Sequence, residues 1–341
     1  MSHVALVNLW FFLIAFFWLG YFLLEGFDFG VGMLLPWVGR DDVERRVLIN
    51  SIGPHWDGNE VWLVVAGGAT FAAFPGWYAT LFSGFYLALF VILVALILRA
   101  VAFEFRGKQD QARWRRWWDR ALFGGSVVPS FLWGVAFADM LHGVPIDATG
   151  NFTGSPLDLL QPYALLGGLT FLLLFGLHGA VFLSLKTTGE LADRSRTAGE
   201  RIWLGALVAS FAFLAWSYER AVTANDTGLV PSPVPLASLG AVLATGWLLR
   251  ERRLGWSFVA TATAIVLLVT TIFLNLYPRV MVSSLSPAYD LTIFNTSSSA
   301  YTLGVMSIIA AVFAPLVLLY QGWTYWVFRR RIGREDLAEG Y

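Results

Sequence analysis

Glu25-Gly26-Phe27-Asp28-Phe29-Gly30-Val31-Gly32 closes an apolar run that begins near residue 7. A helix that crosses a bilayer needs about 20 mostly apolar residues. This run has the length, yet it carries two carboxylates three residues apart. A carboxylate held at membrane depth costs about 2.5–3.5 kcal/mol on insertion scales. A second pair, Asp57 and Glu60, opens the next apolar run in Pro54-His55-Trp56-Asp57-Gly58-Asn59-Glu60. Four acids in one helical hairpin imply a task, and moving protons suits them.

Composition agrees with a membrane hairpin and extends it to the whole chain. Of 341 residues, 57% are hydrophobic and 13% charged, with a mean hydropathy of +0.65. That excludes a soluble domain and points to an all-α, polytopic membrane protein. The 16 Trp and 28 Phe suit a lipid-facing surface with aromatic belts. The absence of Cys excludes disulfides, thiol catalysis and cysteine metal sites. No Lys or Arg precedes the first apolar run, so it does not read as an ordinary signal peptide. Net charge is zero, and no nucleic-acid partner is expected.

Nine spans are read, near residues 7–34, 55–75, 79–104, 121–142, 159–184, 200–222, 234–250, 256–278 and 300–328. The seventh is short and starts from Pro231-Ser232-Pro233-Val234-Pro235. The second is short too. Charge supports both. With nine spans, every Lys and Arg except Arg220 and Arg279 falls at one end of the bundle. The positive-inside rule makes that end cytoplasmic, with the N-terminus outside and the C-terminus inside. The chain is one integral membrane domain, 1–341. Residues 105–120 are expected to form a cytoplasmic interfacial segment, with Trp114, Trp117 and Trp118 at the headgroups. Residues 329–341 are expected to form a cytoplasmic tail. Asn-x-Ser/Thr triplets at Asn151, Asn225 and Asn295 carry no weight.

Residues three apart share a helix face. Glu25 and Asp28 therefore sit together, as do Asp57 and Glu60, and all four fall toward the cytoplasmic part of one hairpin. Like charges in low dielectric cannot all ionise, so some are expected to hold protons near neutral pH. Asn59 and His55 are placed to bridge the cluster to water. The plain alternatives stay open. Acids after Pro54 complement a helix dipole, and Glu25 or Asp28 can pair with Arg45 or Arg46. Glu104 reads as a partner for a nearby basic residue. Asp139 with His142, and Glu219 with Arg220, are expected to face water at outer helix ends.

Of the histidines His3, His55, His142 and His178, only His178 lies deep in a span. One deep His does not ligate two haems, and Met306 lies toward the other side of the membrane. His178 reads as a packing residue. Gly26 and Gly30 form a small-xxx-small face, and Gly67, Gly68, Gly124, Gly125, Gly167 and Gly168 suggest close helix packing. Pro129 and Pro315 fall inside spans.

The segments Gly26 to Leu34, Arg45 to Leu63 (with Trp56-Asp57-Gly58-Asn59), Gly67-Gly68-Ala69, Ser83 to Tyr86, Arg99 to Glu104 and Trp114 to Trp118 resemble subunit II of cytochrome bd-type quinol oxidases. The resemblance runs along the chain and is densest over residues 20–145. It implies a non-haem subunit of a quinol:oxygen oxidoreductase in the bacterial cytoplasmic membrane. It implies a partner subunit I carrying two haems b and one haem d, with none ligated by this chain. It implies a cytoplasmic proton-uptake route at Asp28 and Asp57, extended less directly to Glu25 and Glu60. Some members hold a quinone, and the resemblance allows small accessory single-helix subunits. Two rivals are a proton-coupled secondary transporter, which would show inverted repeats and broken helices, and a scaffold whose carboxylates only fasten helix ends.

Overall fold

The computed structural model describes residues 1–223 and 233–337. Asn225, Pro231 and Ser232 lie outside the described residues, as do residues 338–341 of the expected tail. Eleven helices account for almost all of the rest: α1 (His3–Val38), α2 (Asp42–Ile52), α3 (Trp56–Ala73), α4 (Pro75–Gly84), α5 (Tyr86–Phe105), α6 (Ala112–His142), α7 (Pro162–Lys186), α8 (Gly189–Thr223), α9 (Pro233–Arg250), α10 (Leu254–Leu276) and α11 (Ala300–Val327).

Eight of these, α1 and α5 to α11, are long and apolar enough to cross a bilayer. The remaining span of the sequence reading, residues 55–75, corresponds to α3, whose polar residues keep it outside that set. Its depth is visible in its partners. Near one end, Asn59 bonds Gln321 and Tyr325 of α11. At the other, the Ala73 and Ala72 carbonyls accept from the Ser298 amide and hydroxyl. Trp10 of α1 meets Leu303 and Ser307 of α11 at that second end. Thus α3 runs antiparallel to α1 and α11 over the same height.

Helix α1, with 36 residues, is the central post. Ser2 caps it, its side chain accepting from the Ala5 amide. Its upper half packs Trp18 and Phe22 against Trp133 and Phe137 of α6, with edge-to-face contacts at 5.0 Å for Trp18–Phe137 and Phe22–Phe137. Its lower half meets α7 backbone to backbone. A Cβ on Gly30 would lie 2.1 Å from the Phe175 carbonyl oxygen, and one on Gly179 would lie 2.4 Å from the Gly30 carbonyl carbon. Small residues permit this approach where no hydrophobic effect drives helices together. Gly134 of α6 and Gly167 of α7 meet in the same way. Gly67, Gly68 and Gly124 face open space instead.

Two features differ from the sequence reading. Loop 1–2 contains a helix, α2, with Asp41 as its cap: Asp41 Oδ1 accepts from the Glu44 amide at 2.8 Å. The tryptophan-rich segment is not a separate helix, because α6 starts at Ala112 and continues unbroken to His142. Trp114 turns inward to donate to the Phe105 carbonyl at 2.7 Å, and Trp117 stays exposed.

The opposite end of the bundle is lidded by short loops. Strand β1 (Arg279–Met281) pairs antiparallel with β2 (Leu291–Thr292). Val144 joins Ser283 by a bridge.

Candidate functional site: a buried carboxylate cluster

Helices α1, α3 and α5 bring the first-hairpin acids around one guanidinium. Arg99 of α5 is fully buried. Its Nη1 lies 2.5 Å from Glu25 Oε1 and 3.4 Å from Glu60 Oε2. The rings of Phe29 and Phe103 flank it at 5.0 and 5.4 Å, so the cation is held by π-faces as well as acids. Sequence reasoning placed Arg99 at the end of its span, with the charges of the basic end. It stands six residues inside the helix end, and a charge pattern alone cannot distinguish those two places.

Asp28 lies one turn below Glu25, also fully buried. Its Oδ2 accepts from Asn59 Nδ2 at 2.6 Å. Asn59 is the hub of the site. The same amide nitrogen reaches the Leu24 carbonyl at 3.3 Å. Its Oδ1 accepts from Gln321 Nε2 at 2.7 Å and from the Tyr325 hydroxyl at 2.9 Å. Trp62 donates to Gln321 Oε1 at 3.3 Å. His55 is buried and stacks flat on Tyr325, with centroids 4.3 Å apart and planes 4° apart. Its ring joins the hub by stacking, and its backbone carbonyl accepts from the Asn59 amide at 2.9 Å.

The four acids are thus not equivalent. Glu25 and Asp28 are enclosed, and Glu60 keeps 19% of its side-chain surface. Asp57 is exposed in the first turn of α3, one turn before Glu60. There it also complements the helix dipole. Arg45, an alternative partner for Glu25, instead pairs with Asp119 at 2.8 Å. Asp119 is shared with Arg106 at 2.6 Å. Glu104 is exposed, without an ion pair among the described residues. Tyr21, buried beside Glu25 with its hydroxyl unbonded, was missed, because one tyrosine in an aromatic run carries no distinguishing pattern.

Chemically, one guanidinium faces three carboxylates inside a low-dielectric bundle. Such a set can bind and release protons without moving a helix. It reaches toward the basic end of the bundle through Glu60 and the exposed Asp57.

His178 is a fully buried ring whose Nε2 has no hydrogen-bond partner. Its Nδ1 shares a 2.7 Å hydrogen bond with Thr261, and its ring stacks on Phe258 at 4.7 Å. Met306 lines a groove with Trp10, at the other height of α1. Among the described residues no three His, Asp or Glu side chains converge as a metal-holding group.

The outer-end acids need a correction. Asp139 does not face water. It is fully buried, and neither carboxylate oxygen has a hydrogen-bond partner. The chain around residue 282 folds over this end of α6, where the Val282 amide bonds the Met140 carbonyl. Sequence shows a helix end but not the loop that covers it. Arg220 donates to the His142 carbonyl at 2.8 Å and lies over the Tyr163 ring.

At the basic end, Glu44 of α2 is a clasp. It accepts from the Arg40 amide at 2.8 Å, from Arg334 at 2.8 Å and pairs with Arg194 of α8 at 2.5 Å. Burial alone would raise its pKa, but the Arg194 and Arg334 guanidiniums with the Arg40 amide hold the carboxyl down to about 2.

Comparison with known proteins agrees with this geometry. The family model for cytochrome bd terminal oxidase subunit II matches residues 6–328. The chain is 45% identical over 332 residues to cytochrome bd ubiquinol oxidase subunit 2 of Bacillus subtilis, covering 97% of this chain and 98% of that one. It is 36% identical over 369 residues to cytochrome bd-I ubiquinol oxidase subunit 2 of Escherichia coli K12, covering 98% and 97%. The fold matches a chain of the bd oxidase from Geobacillus thermodenitrificans with a TM-score of 0.76 at 19% identity, covering 95% and 98%.

Proposed function

The chain belongs to the family of cytochrome bd terminal oxidase subunit II, and from that premise we propose that it leads protons from the arginine-rich side of the membrane toward a haem-bearing subunit I. It is a multi-pass bacterial membrane protein and one subunit of a quinol oxidase complex. The transporter alternative has no support beside this membership.

The observation that carries the proton route is the gathering of Glu25, Asp28 and Glu60 around Arg99, with Asp57 exposed one turn away. A proton enters at Asp57 and passes to Glu60. From there it reaches Glu25 or Asp28 inside the bundle. Arg99 sets how much negative charge the cluster carries. Asn59, fixed by Gln321 and Tyr325, orients Asp28 and leaves its second oxygen, Oδ1, without a hydrogen bond. His55 keeps Tyr325 in place by stacking.

The partner sits on the face made by α3, α5 and α11. Helix α11 has 28 residues and buries only Leu303. Its neighbours expose Val61, Val64, Phe71, Phe90 and Leu93. Exposed apolar side chains also face lipid, so what favours this face is that α11 carries Gln321 and Tyr325 of the carboxylate site. In this reading the haems, two of b type and one of d type, belong to subunit I, which supplies the oxygen-reducing chemistry. The N-terminus is outside and the C-terminus cytoplasmic, in the inner membrane. Residues 105–120 lie at the headgroups and 329–341 form the cytoplasmic tail. A quinone and small accessory single-helix subunits complete the assembly in some members.

The test is turnover of the purified complex carrying Asp28→Asn or Asp57→Asn. Slowed oxygen consumption with an intact haem spectrum supports the route. Unchanged consumption in both variants removes it. Loss of haem assigns the acids a structural role instead.

A further inference from the structure

We propose that the groove between α1, α6, α7 and α8 at the arginine-rich end holds one anionic diacyl phospholipid. The groove encloses about 750 Å³. Its walls are apolar, built by Met33, Phe123, Val127, Leu173 and Ile202. Its rim is not: Arg40, Arg194 and Arg201 line it, and no Asp or Glu does. Trp37 stands beside them with 76% of its surface exposed, as an indole does at a headgroup boundary.

The three guanidiniums are under-used. Arg40 and Arg201 are exposed and have no carboxylate within 4 Å among the described residues. Arg194 spends its Nη2 on Glu44, but its Nε is buried without an acceptor. Two acids reach this rim through Arg194: Glu44, already shared with Arg334, and the exposed Glu190, 3.7 Å from Arg194 Nη1. A surplus of positive charge above an apolar slot fits a phosphodiester above acyl chains. The phosphate accepts guanidinium N–H groups, and basic pockets between membrane helices favour anionic headgroups. A free phosphate would leave the apolar walls without a partner. A neutral quinone would leave the arginines without one. The site is separate from the carboxylate cluster, which lies across α1 against α3 and α5.

The test uses the complex with its partner subunit, delipidated in mild detergent. It is then incubated with phosphatidylglycerol, with phosphatidylcholine of the same chains, or with glycerol 3-phosphate, and bound mass is read by native mass spectrometry. Phosphatidylglycerol is expected to be retained and phosphatidylcholine lost. Arg40→Gln and Arg201→Gln are each expected to weaken retention about fivefold, with subunit association and haem spectrum unchanged. Val127→Trp, which fills the floor, is expected to lower retention without touching charge. Equal retention of both lipids overturns the proposal, as does indifference to both arginine variants. Displacement of the lipid by glycerol 3-phosphate at equal concentration also overturns it, since the acyl chains would then add nothing.

Discussion

Arg99 Nη1 lies 2.5 Å from Glu25 Oε1, and neither side chain reaches solvent. A pair this deep cannot be halved cheaply. Arg99→Leu strands Glu25 and Asp28 beside each other and is expected to cost about 3–5 kcal/mol. Glu25→Gln leaves Arg99 with Glu60 and is expected to cost less. The double variant Glu25→Leu with Arg99→Leu is expected to be more stable than Arg99→Leu alone. Thermal inactivation of the three purified complexes decides this. A double variant no better than the single one refutes the pairing.

Gly30 and Gly179 set the distance between α1 and α7. Gly30→Ala pushes a methyl into the Phe175 carbonyl, which belongs to backbone and cannot turn away. A loss of at least about 2 kcal/mol is expected, read as a lower melting temperature. Gly67→Ala meets nothing within this chain. It is expected to leave the subunit's own fold intact. If it instead weakens association with subunit I, the α3 face is the docking face.

Asn59→Leu removes the donor to Asp28 and the acceptor of the Gln321 and Tyr325 hydrogen bonds. About 1–3 kcal/mol is expected for each buried group left unbonded, together with slowed oxygen consumption. Asn59→Asp places a further acid against Asp28 and is expected to be worse for stability than Asn59→Leu. The reverse order would show that shape, not charge, governs the hub.

Glu44 predicts an acid-sensitive clasp. Its carboxyl is held at about 2 against an ordinary 4.5. A group with a depressed folded pKa stabilises above the unfolded value and loses that contribution as pH falls toward the folded one. The tail and α2 are therefore expected to loosen between about pH 4.5 and pH 2, measured by amide exchange at residues 41–52. Glu44→Gln is expected to be loose already at neutral pH and to show little further change across that window.

Asp139 has no hydrogen-bond partner for either oxygen. Asp139→Asn is accordingly expected to be neutral or stabilising by up to about 1 kcal/mol. A clear destabilisation in thermal unfolding would show that the carboxylate holds a water or cation.

Much of this was legible before any coordinates. The acids at Glu25, Asp28 and Glu60 announced a buried site because they interrupt runs that otherwise read as membrane spans. The segregation of Lys and Arg argued for nine spans, whereas eight helices are apolar enough to cross a bilayer, since α3 carries its polar residues within its own length. What stayed hidden was partnership. Arg99 sits among helix-end arginines in sequence, and only the packing of α5 against α1 turns it inward. Gln321 and Tyr325 complete a site begun almost 300 residues earlier, and nothing local marks them. Asp139 looked exposed because helix ends usually are, and the covering strand arrives from a distant loop. Helix α2 is only 11 residues long, so a search for spans passed over it.

The lateness of α11 has a consequence for biogenesis. The amide that receives Asp28 takes its own orientation from Gln321 and Tyr325. A ribosome that has threaded the chain as far as α10 into the bilayer has therefore made every acid of the cluster, but not the groups that set their geometry. Completion of the carboxylate cluster coincides with insertion of α11, the same element proposed above to face the partner subunit. On that proposal, completion of the site and readiness to assemble are one event.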